Sequence, residues 1–248
     1  MRLIQAGVSD REVARRTTVP YETVRAWRSG RIPERARRVL AGIPECTRCG
    51  GAAHDYRALP GAEYAYLLGM YLGDGCIGQT PKGGYSLRLS LDVAYPGIVA
   101  RARDAVAAVK GGPFPHAAPH ARSACVVVTS YWKAWPCLLP QHGPGRKHDR
   151  RIVLELWQEK IVGEAPEAFL RALIHTDGWR GTNVVHVKGR DYAYPRYQFS
   201  NRSEDIRRLF TDVCDRLDVA WRPWGPFHIS VARRDAVAKL DAFIGPKA

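Results

Sequence analysis

Long apolar runs are missing from this sequence. No stretch approaches the roughly 20 residues of a membrane span, and the basic first residues carry no hydrophobic core of a signal peptide. The reading is a cytoplasmic chain with no membrane partner. Cysteine is sparse: six residues, scattered apart from one Cys-x-x-Cys, which excludes a secreted disulfide scaffold. Carboxylates are outnumbered, 24 Asp and Glu against 38 Lys and Arg, so 38 − 24 leaves +14. Lysine itself is scarce at eight residues, against 30 arginines. Hydrophobic residues at 46% and charged residues at 25% exclude wholesale disorder. The 248 residues fit one large domain, or a small domain joined to a medium one.

The arginine excess points to a polyanion. The planar guanidinium fork suits phosphates and guanine edges better than an ammonium does, and each neutralised phosphate releases counterions. A GC-rich genome enriches arginine in the same way, so residue patterns must decide.

Residues 1–44 read as short helices. Leu3 and Ile4 sit on a first helix that stops at Gly7, and Ser9-Asp-Arg-Glu12 reads as a reciprocal capping box. Val13 and Ala14 face inward, with Arg11, Arg15 and Arg16 outside. Thr17-Thr-Val19 turns the chain, Pro20 starts a third helix, Val24 and Trp27 share a face, and Gly30 ends it. The stretch resembles a helix-turn-helix DNA-binding unit of the resolvase or phage-repressor type. That resemblance implies that Tyr21, Glu22, Thr23, Arg25 and Arg28 line a recognition helix in a major groove. Arg31, Arg35, Arg37 and Arg38 extend the basic surface.

Residues 45–63 form a linker with a candidate zinc half-site. Cys46-Thr-Arg-Cys49-Gly-Gly has the spacing of a metal knuckle, and His54 is close enough to be a third ligand. His142, His148 or Cys76 are candidates for a fourth. Two reduced cysteines in a plain linker would read the same.

The rest of the chain repeats itself. Tyr66-Leu-Leu-Gly-Met-Tyr-Leu-Gly-Asp74-Gly75 and Phe169-Leu-Arg-Ala-Leu-Ile-His-Thr-Asp177-Gly178 are apolar helices ending in Asp-Gly. Each carries small residues four apart, Gly69 with Gly73 and Ala172 with Thr176, which lets two backbones approach closely. Both are followed by a strand entering an amphipathic helix, then a short strand and a closing helix. Two such units, 64–160 and 161–248, suit a pseudo-twofold domain whose first helices meet at its centre, bringing Asp74 and Asp177 together.

This motif pair resembles the LAGLIDADG homing endonucleases in their single-chain, two-repeat form. The resemblance implies an α+β fold, a duplicated αββαββα saddle straddling double-stranded DNA, preceded here by the all-α helix-turn-helix. On such a saddle one strand face is buried and the other reads bases. Leu87, Leu89 and Leu91 would face inward, and Ser86, Arg88 and Ser90 the duplex. Tyr192, Tyr194, Arg196 and Gln198 are the counterparts in the second half.

By resemblance Asp74 and Asp177 hold Mg2+ or Mn2+ between the two scissile phosphates. Both strands would then be hydrolysed, leaving short 3′ overhangs. The lysine that the resemblance implies at the end of a half's last strand has no clean match. Ser130 and Ala232 fall there, leaving Lys133, Arg233 and Lys147 as candidates. His175 replaces the acid two positions before Asp177 and is assigned no role. The expectation is a monomeric endonuclease, associated with the nucleoid when bound to DNA. The rival is a non-cleaving transcriptional regulator on the same fold, while RNA maturation, known for relatives, has no specific support in these residues.

Overall fold

The computed structural model describes residues 2–121 and 123–245. Met1 and the last three residues assigned above to the second repeat lie outside this range, as does the side chain of Arg35. The chain parts into two compact units, Met1–His54 and Asp55–Ala248. No helix among the described residues is long and apolar enough to cross a membrane.

The first unit contains α1 (Arg2–Gln5), α2 (Asp10–Thr17), α3 (Tyr21–Arg28) and α4 (Glu34–Leu40). Ser9 caps α2 by accepting the Glu12 amide at 3.4 Å, but the return half of the expected capping box is replaced. Arg15 and Arg16 draw the Glu12 carboxylate along the helix, with Arg15 Nε at 2.8 Å and Arg16 Nε at 2.6 Å. Those ion pairs hold the carboxyl near the low end of its range, at about 2. Val13 on α2 and Val24 on α3 are both buried. Arg28 clamps the same two helices from outside, donating to Asp10 Oδ1 at 2.5 Å and to the Val8 carbonyl.

The turn between α2 and α3 holds Thr18 at φ 57°, a left-handed conformation that a β-branched residue adopts at a cost. Replacing Thr18 with Gly is expected to stabilise this unit by about 0.5–1 kcal/mol, because relief of strain outweighs the looser unfolded chain. Amide exchange of α2 and α3 would show it. Faster exchange in the variant would mean that the turn is unstrained.

In the second unit the same seven elements occur twice. The first set is α5 (Gly61–Asp74), β1 (Gly75–Gln79), β2 (Tyr85–Asp92), α6 (Pro96–Lys110), β3 (His116–Pro119), β4 (Cys125–Tyr131) and α7 (Trp135–Leu138). An additional helix, α8 (Leu156–Glu164), precedes the second set. That set is α9 (Pro166–Asp177), β5 (Gly178–Val187), β6 (Arg190–Ser200), α10 (Glu204–Arg216), β7 (Arg222–Pro223), β8 (His228–Val231) and α11 (Arg234–Ile244). The two antiparallel sheets run β1-β2-β4-β3 and β5-β6-β8-β7, the same order in each half. In β2 the three leucines are buried and Arg88 and Ser90 exposed, so the alternation sets which face meets the helices.

Helices α5 and α9 form the centre of the core. A Cβ built on Gly69 would lie 2.6 Å from Ala172 Cβ and 2.8 Å from the Phe169 carbonyl, and one on Gly73 would land on the Thr176 side chain. The small residues therefore meet in pairs, as their spacing of four anticipates. Helix α8 was not legible in the repeat pattern. It is held by a Glu155–Gln158 capping box and by a buried polar chain. In that chain Gln158 donates to Tyr64 Oη at 2.7 Å and accepts from Gln141 at 2.6 Å.

Candidate active site and nucleic-acid interface

Two carboxylates end the central helices. Asp74 is the last residue of α5 and Asp177 the last of α9, each followed by a glycine that passes directly into a strand. Those glycines are required by packing rather than by φ. A Cβ on Gly75 would lie 2.5 Å from Tyr71 Cα, and one on Gly178 2.6 Å from Ile174 Cα. The Asp-Gly pair thus holds each half-buried acid at the point where the helix stops. Helix C-termini carry partial negative charge, so acids placed there favour a neighbouring cation.

Lys147 supplies one. Its Nζ donates to the Tyr71 carbonyl at 2.6 Å and the Gly73 carbonyl at 2.7 Å, capping the last turn of α5. Burial pushes its pKa down to about 8, and the fields of Asp177 and then Asp74 oppose that shift. The amine therefore feels both acids. Asp177 opens into a cleft of about 430 Å³ whose lining includes Lys147, Arg146, His148, Asn201 and Arg202. Asp74 borders a smaller hollow of about 180 Å³ with Asp92, Tyr95 and His175. Asn201 donates its side-chain amide to Asp177 Oδ2 at 2.7 Å, fixing one carboxylate oxygen. Sequence patterns missed Asn201, although the pairing of Gly178 with Phe199 places it two residues past the β6 partner of the motif glycine.

The other candidate cations lie elsewhere. Lys133 is exposed in the turn after β4, and Arg233 is engaged by Asp235 through two bonds of 3.1 and 2.9 Å. Neither lines the cleft around Asp177. Ser130 is buried because it pairs with Leu87 across β2 and β4, which turns it to the helix side. His175 accepts from or donates to Tyr66 Oη at 2.9 Å through Nδ1. Its Nε2 lies 3.2 Å from the Ile244 carbonyl and must be the donor there, so in the neutral imidazole Nδ1 accepts the tyrosine proton.

The outer strand faces carry polar and aromatic side chains. Arg88 lies opposite Cys76 and Thr129, with Ser86 and Ser90 on the same face. In the second sheet the Tyr192 and Tyr194 rings run parallel, 6.4 Å apart, and both are exposed. Arg196 and Gln198 continue that face half-buried, and Trp179, opposite Gln198, is exposed. Arg196 Nε is buried without a hydrogen-bond partner. In the first unit Tyr21, Glu22 and Arg25 are exposed and Thr23 is half-buried. Arg28, expected beside them, spends its guanidinium on Asp10 and Val8.

The cysteine turn is also in place. The Sγ atoms of Cys46 and Cys49 and a ring nitrogen of His54 lie within 4.8 Å of one another. Of the residues weighed as a fourth ligand, His142 packs edge-on to Tyr85 at 5.8 Å, His148 lies 3.5 Å from Asp149, and Cys76 is exposed on β1.

No protein-family model and no curated protein matches this sequence. Solved structures do. The chain is similar to I-DmoI, solved in complex with DNA and Mn, with a TM-score of 0.50 at 11% identity over 75% of this chain and 98% of that one. The LAGLIDADG meganuclease I-AabMI, solved bound to uncleaved DNA, gives 0.48 at 11% identity over 73% and 82%. Full-length DUF199/WhiA from Thermatoga maritima gives 0.47 at 11% identity over 79% and 58%. At such identity the likeness is one of fold: α+β, with two four-stranded antiparallel sheets in the duplicated LAGLIDADG arrangement.

Proposed function

We propose that this chain is a site-specific endonuclease of double-stranded DNA, acting as a monomer with Mg2+ or Mn2+. The observation that carries the reading is the half-buried Lys147, whose amine donates to the Tyr71 and Gly73 carbonyls and lies in the fields of both Asp74 and Asp177, at the ends of the paired helices. Support for duplex DNA as partner comes from the +14 charge, the polar strand faces and the fold shared with I-DmoI, a protein solved with DNA and Mn. The covalent duplication supplies both halves of a twofold site in one chain. The α2–α3 pair, with Tyr21, Glu22, Thr23 and Arg25, adds a second grip through a groove contact of its own.

The donor set suits a hard divalent cation. Asp74 and Asp177 offer half-buried carboxylate oxygens at two negative helix ends, which Mg2+ and Mn2+ prefer over nitrogen or sulfur. Held there, the cation would neutralise phosphate charge and acidify the attacking water. Asn201 fixes one oxygen of Asp177 and so orients the carboxylate. Arg146, His148 and Arg202 line the same cleft and oppose the phosphate backbone.

Lys147 acts on the proton. Its neutral amine keeps both carbonyl bonds with its two hydrogens and has a lone pair to accept a proton from water. With a pKa of about 8, the amine is mostly charged at pH 7 and mostly neutral at pH 9. A dication on Asp74 and Asp177 would cancel the fields that hold this pKa up, so single-turnover cleavage is expected to climb about tenfold per pH unit at low pH and to level off at or below about pH 8. Lys147→Met should lower the plateau by about 10²–10⁴-fold. Lys147→Arg stays charged, so it should not restore the profile. An unchanged pH profile in the Arg variant would remove Lys147 from proton transfer.

Incubating the full chain with a randomised duplex library and Mg2+, then sequencing the cut ends, tests the function itself. Cut ends should converge on one long sequence. A library in which one sequence is bound but none is cut would support the non-cleaving regulator.

A further inference from the structure

Residues 44–54 build a tight turn held by its own backbone hydrogen bonds. Gly50 donates to the Cys46 carbonyl at 2.8 Å, and Cys46 donates to the Gly51 carbonyl at 2.9 Å. Ala53 donates to the Pro44 carbonyl at 2.8 Å, and Glu45 and Ala52 form an isolated antiparallel bridge. Gly50 sits at φ 66°, which reserves the tightest point of the loop for glycine. The Gly51 amide donates to Cys49 Sγ at 3.4 Å.

The ligand spacing fits a tetrahedral ion. With bonds of about 2.3 Å to sulfur and 2.0–2.1 Å to nitrogen, two sulfurs lie about 3.8 Å apart, and a sulfur and a nitrogen about 3.6 Å. Cys49 Sγ and His54 Nε2 are 3.4 Å apart, and the Cys46 sulfur is within 4.8 Å of both.

A second observation is independent of the cluster. Among the described side chains of Met1–His54, only Val13 and Val24 are buried hydrophobics. Units of about this size commonly draw part of their stability from a disulfide or a metal, and all six cysteines of this chain are thiols.

We propose that Cys46, Cys49 and His54 bind one Zn2+ as a structural knuckle that holds the first unit folded. Soft thiolates and an imidazole select zinc over the hard cation assigned to Asp74 and Asp177. The role is independent of cleavage and would hold equally for a regulator.

The test needs no DNA. Full-length protein, loaded with Zn2+ and desalted, should carry one equivalent by elemental analysis, and Cys46→Ser or Cys49→Ser should lose it. Because those variants can misfold, Co2+ is also titrated into the metal-free wild type. The expected result is the intense visible spectrum of tetrahedral cobalt with a thiolate charge-transfer band. An intensity of two thiolates leaves the fourth position to nitrogen or oxygen. Three would place one of Cys76, Cys125, Cys137 or Cys214 there, identified by its serine variant. Either count supports the knuckle. Less than a tenth of an equivalent of zinc in the loaded wild type, or an octahedral cobalt spectrum without a thiolate band, overturns it.

Discussion

Replacing Asp177 or Asp74 with Asn is expected to abolish cleavage while leaving DNA binding intact. The substitution keeps the shape at the helix end and removes a charge where two negative helix termini meet. The amide still offers one oxygen, but Mg2+ strongly prefers carboxylate. Loss of an outer-shell partner of a metal ligand typically costs about 10–100-fold, so loss of a direct ligand should exceed about a hundredfold. Asn201, which holds Asp177 Oδ2, provides the graded control. Asn201→Ala should fall within that 10–100-fold range. Metal-free binding should hold or tighten in both Asn variants, because carboxylate–phosphate repulsion is relieved. Single-turnover assays with matched gel-shift titrations measure both quantities, and a drop in binding equal to the drop in rate would contradict the assignment.

The largest stability effect is expected at Gly73. Alanine there places a methyl group on Thr176, and neither helix can yield without moving the core that surrounds both. Overpacking of this kind costs about 1–3 kcal/mol. Alanine's better helix propensity returns at most about 1 kcal/mol. A net loss of about 2 kcal/mol lowers the melting temperature by about 4–8 °C in a unit of this size. Rescue is specific. The added methyl would clash with Thr176 Cβ as well as Oγ1, so Thr176→Gly should restore stability and Thr176→Ala should not. Equal rescue by both would mean that the helices do not meet at this pair.

What the sequence disclosed was mostly local or repeated. Asp-Gly occurs at the end of two similar helices, and small residues recur four apart, so the central packing could be anticipated without coordinates. Capping was legible in half. Ser9 caps α2 as expected, but Glu12 has arginines three and four residues on, and those pairs outcompete the return to Ser9. Helix α8 stayed hidden because its buried anchor, Gln158, is polar and breaks the apolar periodicity, while its partner Gln141 lies outside the helix. The cation beside the acids was ambiguous for a topological reason. Register pointed to the strand ends at Ser130 and Ala232, whereas Lys147 comes from the segment joining the halves, which no repeat alignment covers. Arg28 was expected on a recognition surface. A bond to Asp10, eighteen residues away, cannot be read from helical spacing.

Cleavage of a selected duplex site tests the central claim most directly. With wild-type protein and Mg2+, both strands of the site should be cut in a single turnover, at positions a few base pairs apart. One protein chain should be bound per site, and the cut should be lost in Asp74→Asn and Asp177→Asn alike. A wild-type chain that binds the site tightly yet leaves both strands intact with Mg2+ and with Mn2+ would contradict the endonuclease assignment and leave only the fold.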